Sequence, residues 1–431
     1  LRVFVSALAC ALVLGGRDSH TDRAFVVLGP HVSRSLAPAP PAPQESHQSK
    51  IHNDGHATDD GGSSLASVPL SFFVSPTLPP ERCSASDADI VESMRIESEM
   101  EMKRVAETIP RDAPTRLIRS KDQLNHDDIT NYLFDCDGVL YRGTDAMPSA
   151  SSTIKALIDK GKNVFFVTNN AASSRSELKG KLEKVLRCPN TLTDEMMIGS
   201  AYVAAQYLKS KLPNEYPNSS AKVHVIGTSG LCGEIMSAGF DVSGGPDSID
   251  APSGMSRDEL ADYSFPEGPI DALVVGLDND FNYRKLCIAN VLLQRNPDAL
   301  FVATNLDAYD LVGADARHLP GNGALVAALE ACCGRTAVNV GKPSPVLAAW
   351  IAEHYKLDAQ RTMMVGDRLD TDVKFGNMGR MGCSALVLTG CTTASDLSKL
   401  FNKPEDGLPD ADMIPTVIFP HVGYLDTTAS R

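Results

Sequence analysis

The sequence predicts an α/β protein built on parallel sheet. From about Asn131 onward, apolar runs of strand length alternate with segments of helix length. Acidic or polar residues recur where those runs stop, which is where α/β sheets gather their ligands. With 431 residues the chain exceeds one ordinary compact domain, so two folded units and a tail fit its length.

Taken in order, the chain opens on Leu1 and the apolar run Val3 to Leu14, followed by Gly15, Gly16 and Arg17. That run is too short to span a bilayer and has the length of a signal-sequence core whose start is missing. The alternative is a fortuitous apolar run. Residues 17–43 carry Arg17, Arg23 and Arg34, only Asp18 and Asp22 as acids, and the Pro-Ala run Ala37 to Pro43, and read as presequence or linker. His47, His52 and His56 sit in a polar setting that favours solvation over metal binding. Asp87 to Glu107 reads as a short charged helix with no evident function. Residues 1–120 are therefore expected to be a presequence and disordered N-terminal extension outside the fold.

Strands are expected at Asn131 to Phe134, Asn163 to Thr168, Lys222 to Ile226, Asp271 to Gly276, Leu300 to Ala303, Ala337 to Val340, Thr362 to Val365 and Ser384 to Leu388. Helices are expected at Ser151 to Lys160, Arg175 to Leu186, Tyr283 to Arg295, Gly323 to Cys333, Pro345 to Tyr355 and Asp370 to Met378, several of them opening after Ser, Asn or Pro. The sequence shows no transmembrane-length helix, internal repeat or heptad pattern.

A net charge of -14 with 43% hydrophobic residues fits a soluble globular protein and opposes a sequence-independent grip on nucleic acid. The cysteines include no C-x-x-C pair, so reduced and mostly buried thiols are the expectation. Half of the ten histidines fall within the first 56 residues. Chemistry in the remainder must rest on carboxylates.

The strongest motif is Phe134-Asp135-Cys136-Asp137-Gly138-Val139-Leu140-Tyr141-Arg142-Gly143. Asp135 and Asp137 emerge at the end of a buried strand, where two carboxylates repel unless a cation or a shared proton relieves them. A hard divalent ion with oxygen ligands is the natural relief. An isolated motif of this kind would read as a solvated turn, but three others accompany it. Thr168-Asn169-Asn170 closes the next apolar strand with a hydroxyl and backbone N–H groups able to hold phosphate oxygens. Gly341-Lys342-Pro343-Ser344-Pro345 places an ammonium at a strand end. Gly366-Asp367-Arg368-Leu369-Asp370-Thr371-Asp372 supplies acids to complete an oxygen-rich site.

These four motifs resemble those of the haloacid dehalogenase-like hydrolases. More narrowly, the region from about Asp128 to Leu425 is similar to the branch containing phosphoglycolate phosphatase, pyridoxal phosphatase and 4-nitrophenylphosphatase. The resemblance implies a Rossmann-like parallel-sheet core with a smaller α/β cap inserted in it: core over 128–210, cap over 211–336 and core again over 337–427. It implies Asp135 as nucleophile and Asp137 as general acid and base. Mg²⁺ would be held by the Asp135 carboxylate, the Asp137 carbonyl and the Asp367 carboxylate. Thr168, Asn169, Asn170 and Lys342 would form the phosphate cradle, and Asp372 would orient metal waters or Lys342.

In the segment Ala303 to Asp310, Leu306 replaces the family's usual Arg and Asp310 stands where pyridoxal phosphatases carry a substrate-contacting His, both of which weaken a pyridoxal phosphate assignment. Pro320-Gly321-Asn322-Gly323 matches the family pattern and reads either as a loop leading into a helix near the site or as a plain turn and cap. Asp278-Asn279-Asp280-Phe281-Asn282-Tyr283 and Gly244-Gly245-Pro246-Asp247 look most like plant-type phosphoglycolate phosphatases.

The resemblance thus implies a Mg²⁺-dependent phosphatase with a small phosphate monoester as partner, 2-phosphoglycolate first and a broad 4-nitrophenylphosphatase or pyridoxal phosphatase as the alternative. A phosphotransferase and a non-catalytic binding protein on the same fold stand behind these. A silent protein would be free to lose Asp135 or Asp137. No nucleic acid and no stable membrane insertion are expected, homo-oligomerisation is left open, and the front end suggests a plastid or another organelle, otherwise the cytoplasm.

Overall fold

The computed structural model describes residues 87–120, 123–124, 127–212, 220–246, 256–262, 268–312, 317–402 and 410–426. The N-terminal apolar run, the Arg-containing stretch, the three early histidines and Asp247 lie outside these residues.

The first part of the described chain forms α1 (Asp87–Thr108), β1 (Arg116–Leu117), β2 (Asn131–Phe134), β3 (Tyr141–Arg142), β4 (Asp145–Ala146), α2 (Ala150–Asp159), β5 (Asn163–Thr168), α3 (Arg175–Val185), β6 (Met197–Gly199) and α4 (Ser200–Lys211). A middle part follows with β7 (Lys222–Ile226), α5 (Ser229–Ser237), β8 (Asp241–Gly244), α6 (Arg257–Asp262), β9 (Ala272–Val275), α7 (Tyr283–Arg295), β10 (Leu300–Ala303), β11 (Tyr309–Val312), β12 (Arg317–Pro320), α8 (Asn322–Cys333) and β13 (Val338–Asn339). The last part holds α9 (Pro345–Tyr355), β14 (Thr362–Gly366), α10 (Lys374–Met378), β15 (Cys383–Val387), α11 (Ala394–Phe401) and β16 (Val417–Phe419).

Two parallel sheets result. A seven-stranded sheet runs β1-β16-β15-β14-β2-β5-β6, and a five-stranded sheet runs β13-β10-β9-β7-β8. Strands β2, β9, β14 and β15 are buried along their whole length, as parallel strands covered on both faces must be. The first and last parts of the chain build the large sheet and the middle part builds the small one, which is the expected core with an inserted cap. The sheets share one apolar cluster in which Leu133, Val167 and Ile198 of the large sheet meet Val223, Val274 and Val302 of the small one.

The structure departs from the expectations at definite places. Residues 87–118 are not outside the fold: β1 pairs in parallel with β16, and α1 buries Met94, Met102 and Val105. Charged residues on the exposed face of α1 hid this in the sequence, since its apolar positions are few. β13 pairs with β10, so the small sheet extends to Asn339, beyond the 336 expected for the cap. The last expected helix, Asp370 to Met378, is present but opens as a wider π-helical turn over Leu369–Val373 before continuing as α10, and the Asp372 carboxylate takes the N–H groups of Asp367 and Arg368 at its start. The eight described cysteines are free thiols, and Cys136, Cys188, Cys232 and Cys383 are buried. No helix among the described residues is long and apolar enough to cross a membrane.

Candidate active site

Neighbouring strands β14, β2 and β5 end side by side, and each delivers part of the site. Asp135 continues the ladder beyond β2 by donating its N–H to the Val365 carbonyl at 2.9 Å. The chain then turns sharply: Leu140 N–H donates to Cys136 O, and Gly138 N–H to Tyr141 O at 2.8 Å. Gly138 takes φ +77° here, and a Cβ on it would come within 2.6 Å of Asp367 Oδ2, so the turn needs glycine on both grounds. Asp137 leaves this turn with its Oδ2 accepting from the Tyr141 hydroxyl at 3.0 Å. Lys181 stands over the Tyr141 ring, 4.0 Å from its centroid.

Lys342 is buried, and its ammonium lies 2.5 Å from Asp135 Oδ1 and 2.7 Å from Asp372 Oδ1. The other Asp372 oxygen accepts the main-chain N–H groups of Asp367 and Arg368, both at 3.1 Å. Asp367 Oδ2 accepts from the Cys391 N–H at 2.7 Å. Asp135, Asp367 and Asp372 each present an oxygen within 4.8 Å of the others, a grouping able to hold a metal ion.

Electrostatics follow from this crowding. Burial holds the Asp135 carboxyl well above its ordinary range; Lys342 opposes the shift, and the Asp372 and Asp367 charges add to it. Burial, with the charge of Asp372, raises Asp367 to about 6, against the pull of the Cys391 N–H. Burial also raises Asp137, offset in part by Lys181, Tyr141 and Lys342. Burial alone would lower Lys342, but Asp135 and Asp372 hold it above its usual value.

The remaining expected residues fall in two groups. Thr168, at the end of β5, is buried and its hydroxyl accepts from the Asn170 N–H at 3.1 Å. Asn169 and Asn170 have side chains already engaged by the protein. Asn169 Oδ1 accepts from the Lys342 N–H at 2.8 Å, and its amide donates to Asp307 at 3.0 and 3.2 Å and to the Lys342 carbonyl at 3.1 Å. Asn170 Oδ1 accepts from the Ala172 N–H at 2.7 Å. Asp310 lies on β11, half-buried, where burial raises its carboxyl; Arg368 opposes that shift and the charge of Asp137 adds to it.

Two further side chains of this seam were not singled out from the sequence. Asp307 ties the cap to Asn169, and Arg368 sits over the Tyr309 ring at 5.1 Å and donates to the Tyr309 carbonyl at 3.4 Å. Both lie inside quoted motifs, one residue from positions that were weighed, but their roles depend on which strand ends meet across the two sheets. Asn322, in the Pro-Gly-Asn-Gly segment, opens α8 and donates to the carbonyls of Val275 and Asn305 at 3.1 and 2.8 Å, fixing the loop that carries Asp307. A surface cavity of about 410 Å³ beside Leu306, Ala308 and α8 includes none of the acidic site residues.

A profile described as haloacid dehalogenase-like hydrolase matches residues 132–241, and a second, HAD-hydrolase-like, matches 339–412. Phosphoglycolate phosphatase 2 of Arabidopsis thaliana is 37% identical over 294 residues, covering 68% of this chain and 94% of that protein. The chloroplastic phosphoglycolate phosphatase 1A of the same plant is 36% identical, covering 68% of this chain and 78% of that one. Among solved structures, a glycerol phosphate phosphatase from Mycobacterium tuberculosis in complex with magnesium superposes with a TM-score of 0.53 at 28% identity, covering 72% of this chain and 78% of its own. Fold, site and relatives together define a phosphomonoester hydrolase. The chain belongs to the haloacid dehalogenase-like hydrolases.

Proposed function

We propose that the chain is a Mg²⁺-dependent phosphatase that hydrolyses 2-phosphoglycolate through a phospho-aspartate at Asp135. The observation that carries this reading is the grouping of Asp135 with the buried Asp367 and Asp372, in which the Lys342 ammonium sits between Asp135 and Asp372. When all are ionised, three carboxylates against one ammonium leave two uncompensated negative charges in a site withdrawn from water. A divalent cation offsets them, and an all-oxygen donor set suits Mg²⁺. The carboxylates of Asp135 and Asp367 and the Asp137 carbonyl would hold it, while Asp372 is turned to Lys342 and to two N–H groups. Once bound, the ion offsets charge that develops on the transferring phosphoryl group.

In the first step a carboxylate oxygen of Asp135 attacks phosphorus as the bond to the ester oxygen breaks, and that oxygen takes the proton of Asp137. Burial, which raises Asp137, supports a protonated acid at the start. In the second step water attacks the phosphorus of the phospho-aspartate and gives its proton to Asp137, so that phosphate leaves and Asp135 is restored. Lys342 favours the ionised form of Asp135 against the burial that raises it, and would meet the phosphate charge. The Thr168 hydroxyl, which accepts from the Asn170 N–H and keeps its own proton to donate, would meet the same phosphate, and Asn169 holds the main chain of Lys342 in place.

Two observations support the substrate. The Arabidopsis relatives carry its name, and Arg368 stands beside Asp310, offsetting a charge that would otherwise repel a substrate carboxylate. The test is kcat/KM for 2-phosphoglycolate, pyridoxal 5′-phosphate and 4-nitrophenyl phosphate with Mg²⁺. A preference for 2-phosphoglycolate of at least about tenfold, or ~1.4 kcal/mol, is expected. Equal rates would leave a broad phosphatase, and transfer to an added alcohol without release of free phosphate would make it a phosphotransferase. The chloroplastic relative and the Arg-containing, acid-poor stretch 17–43 also support a plastid location. Cell fractionation that finds the native protein outside the plastid fraction would count against it.

A further inference from the structure

Helix α1 lies outside both segments matched by the family profiles. It packs on the large sheet where Met102, Val105 and Ile109 join Leu386, Leu388 and Leu397 in one buried cluster. Polar links then run from this side of the molecule to residues 388–394. Glu101 Oε1 accepts from the Ala394 N–H at 2.6 Å, satisfying a donor at the start of α11 that has no partner within its own helix. The other Glu101 oxygen pairs with Arg104 at 2.9 Å. Arg142, 3.9 Å from Glu97 of α1, donates to the Thr389 carbonyl at 2.6 Å.

The same segment reaches into the active site from its opposite side. Cys391 N–H donates to Asp367 Oδ2 at 2.7 Å and Thr392 N–H to the Asp367 carbonyl at 3.2 Å. Thr389 Oγ1 donates to the Gly138 carbonyl at 2.5 Å. At Gly390 a Cβ would come within 1.9 Å of Asp367 Oδ2, so the loop backbone lies directly on that carboxylate. A cavity of about 270 Å³ separates α1 from this loop, bordered by Met94, Ser98, Met100, Arg104 and Thr392. Close packing holds the ends of the loop, where Leu388 and Ala394 join the cluster of Met102 and Val105, and along the cavity between those ends the polar links carry the task.

We propose that Glu101 and Arg142 are positioning residues for the metal site. They hold residues 388–394 so that the Cys391 N–H and the Thr389 hydroxyl keep the Asp367 carboxylate and the Asp137–Gly138 turn in the arrangement a divalent cation needs. The inference rests on the Mg²⁺ phosphatase reading. Groups that orient a ligand from behind commonly change metal affinity by about 10- to 100-fold.

The experiment uses the full chain as wild type, Glu101→Ala, Glu101→Gln and Arg142→Ala. Mg²⁺ affinity of the metal-free proteins is measured by calorimetry well below their melting temperatures, beside melting curves and the Mg²⁺ dependence of 4-nitrophenyl phosphate hydrolysis. Glu101→Ala and Arg142→Ala are expected to weaken Mg²⁺ binding by roughly tenfold, with kcat at saturating Mg²⁺ little changed. Glu101→Gln, whose amide oxygen still accepts from Ala394, should restore most of the affinity. Arg142 has a half-exposed side chain, so its variant carries the test if Glu101→Ala does not fold. Wild-type Mg²⁺ affinity in the Ala variants, whatever their melting temperatures, overturns the inference. Absence of Mg²⁺-dependent hydrolysis in the wild type would instead sink the phosphatase reading on which it stands.

Discussion

Lys342 is the residue on which the electrostatics of the site turn, since it is the ammonium set between Asp135 and Asp372. Removing a carboxylate from that cluster separates chemistry from folding. Asp135→Asn keeps the shape and an acceptor for Lys342 but cannot attack phosphorus, so activity should fall to below about a hundredth of wild type while the protein remains folded. A mutant above that level with an unchanged circular dichroism spectrum would remove Asp135 as nucleophile. The pH dependence follows from Asp367, raised to about 6. A carboxyl raised by folding contributes stability when protonated, and that contribution is lost as pH rises through its folded value. Mg²⁺ competes with the proton for the same oxygens. Its stabilising effect should therefore be small near pH 5 and grow through about 6 to a plateau above 7, which thermal shift with and without Mg²⁺ would show; an effect equally large near pH 5 would contradict it. The acids and the lysine were legible in the sequence because each follows an apolar strand. The internal engagement of Asn169 and Asn170 was not, because it depends on partners 138 and 173 residues away for Asn169 and on local turn geometry for Asn170.

Among the elements, the buried strands were the easiest to read. Asn131 to Phe134, Asn163 to Thr168, Lys222 to Ile226 and Leu300 to Ala303 have the expected bounds, since parallel strands covered on both faces are written as continuous apolar runs. The hairpin of β11 and β12 was missed for the opposite reason. Its β12 residues are all exposed, and no apolar alternation marks it. Tyr309 stacks on His318 within the hairpin at 4.0 Å, and Arg368, 5.1 Å from the Tyr309 ring and donating to its carbonyl, links the hairpin to the site. Segment Asp278 to Tyr283 also reads differently in three dimensions, for Asp278 pairs with Lys285 at 2.6 Å and Asn282 caps α7, so its pattern reports helix initiation. The hairpin's contribution to specificity is open to measurement through Asp310. Asp310→Asn removes a negative charge near Asp137, and should raise kcat/KM for 2-phosphoglycolate relative to uncarboxylated 4-nitrophenyl phosphate by a few-fold, on the order of 1 kcal/mol. An unchanged ratio would place Asp310 beyond reach of the substrate carboxylate.

At the scale of the whole molecule, the core is larger than the sequence suggested, and the difference lies at its N-terminal edge. The charged, acid-rich surface of α1 resembles a solvated helix, yet Val105 is fully buried and Met94 and Met102 are nearly so. Its apolar stripe was too narrow to stand out against the charges, and its partners, Leu386, Leu388 and Leu397, come from the far end of the chain. Burial of each such side chain is worth roughly 1.5–3 kcal/mol before the cost of ordering the helix. The expectation that residues up to 120 are dispensable therefore gives way to a sharper one. A chain beginning at Arg111 should melt several degrees below one beginning at Asp87, because in a domain of this size ~1 kcal/mol moves the melting temperature by about 2–4 °C. It should also be more prone to aggregate, since Leu388, Leu397 and Leu400 lose their cover. Melting both chains in the metal-free state isolates this packing from any change in the metal site. Coincident curves would contradict this, since they would mean that the apolar contacts of α1 are offset in full by the entropy of ordering it.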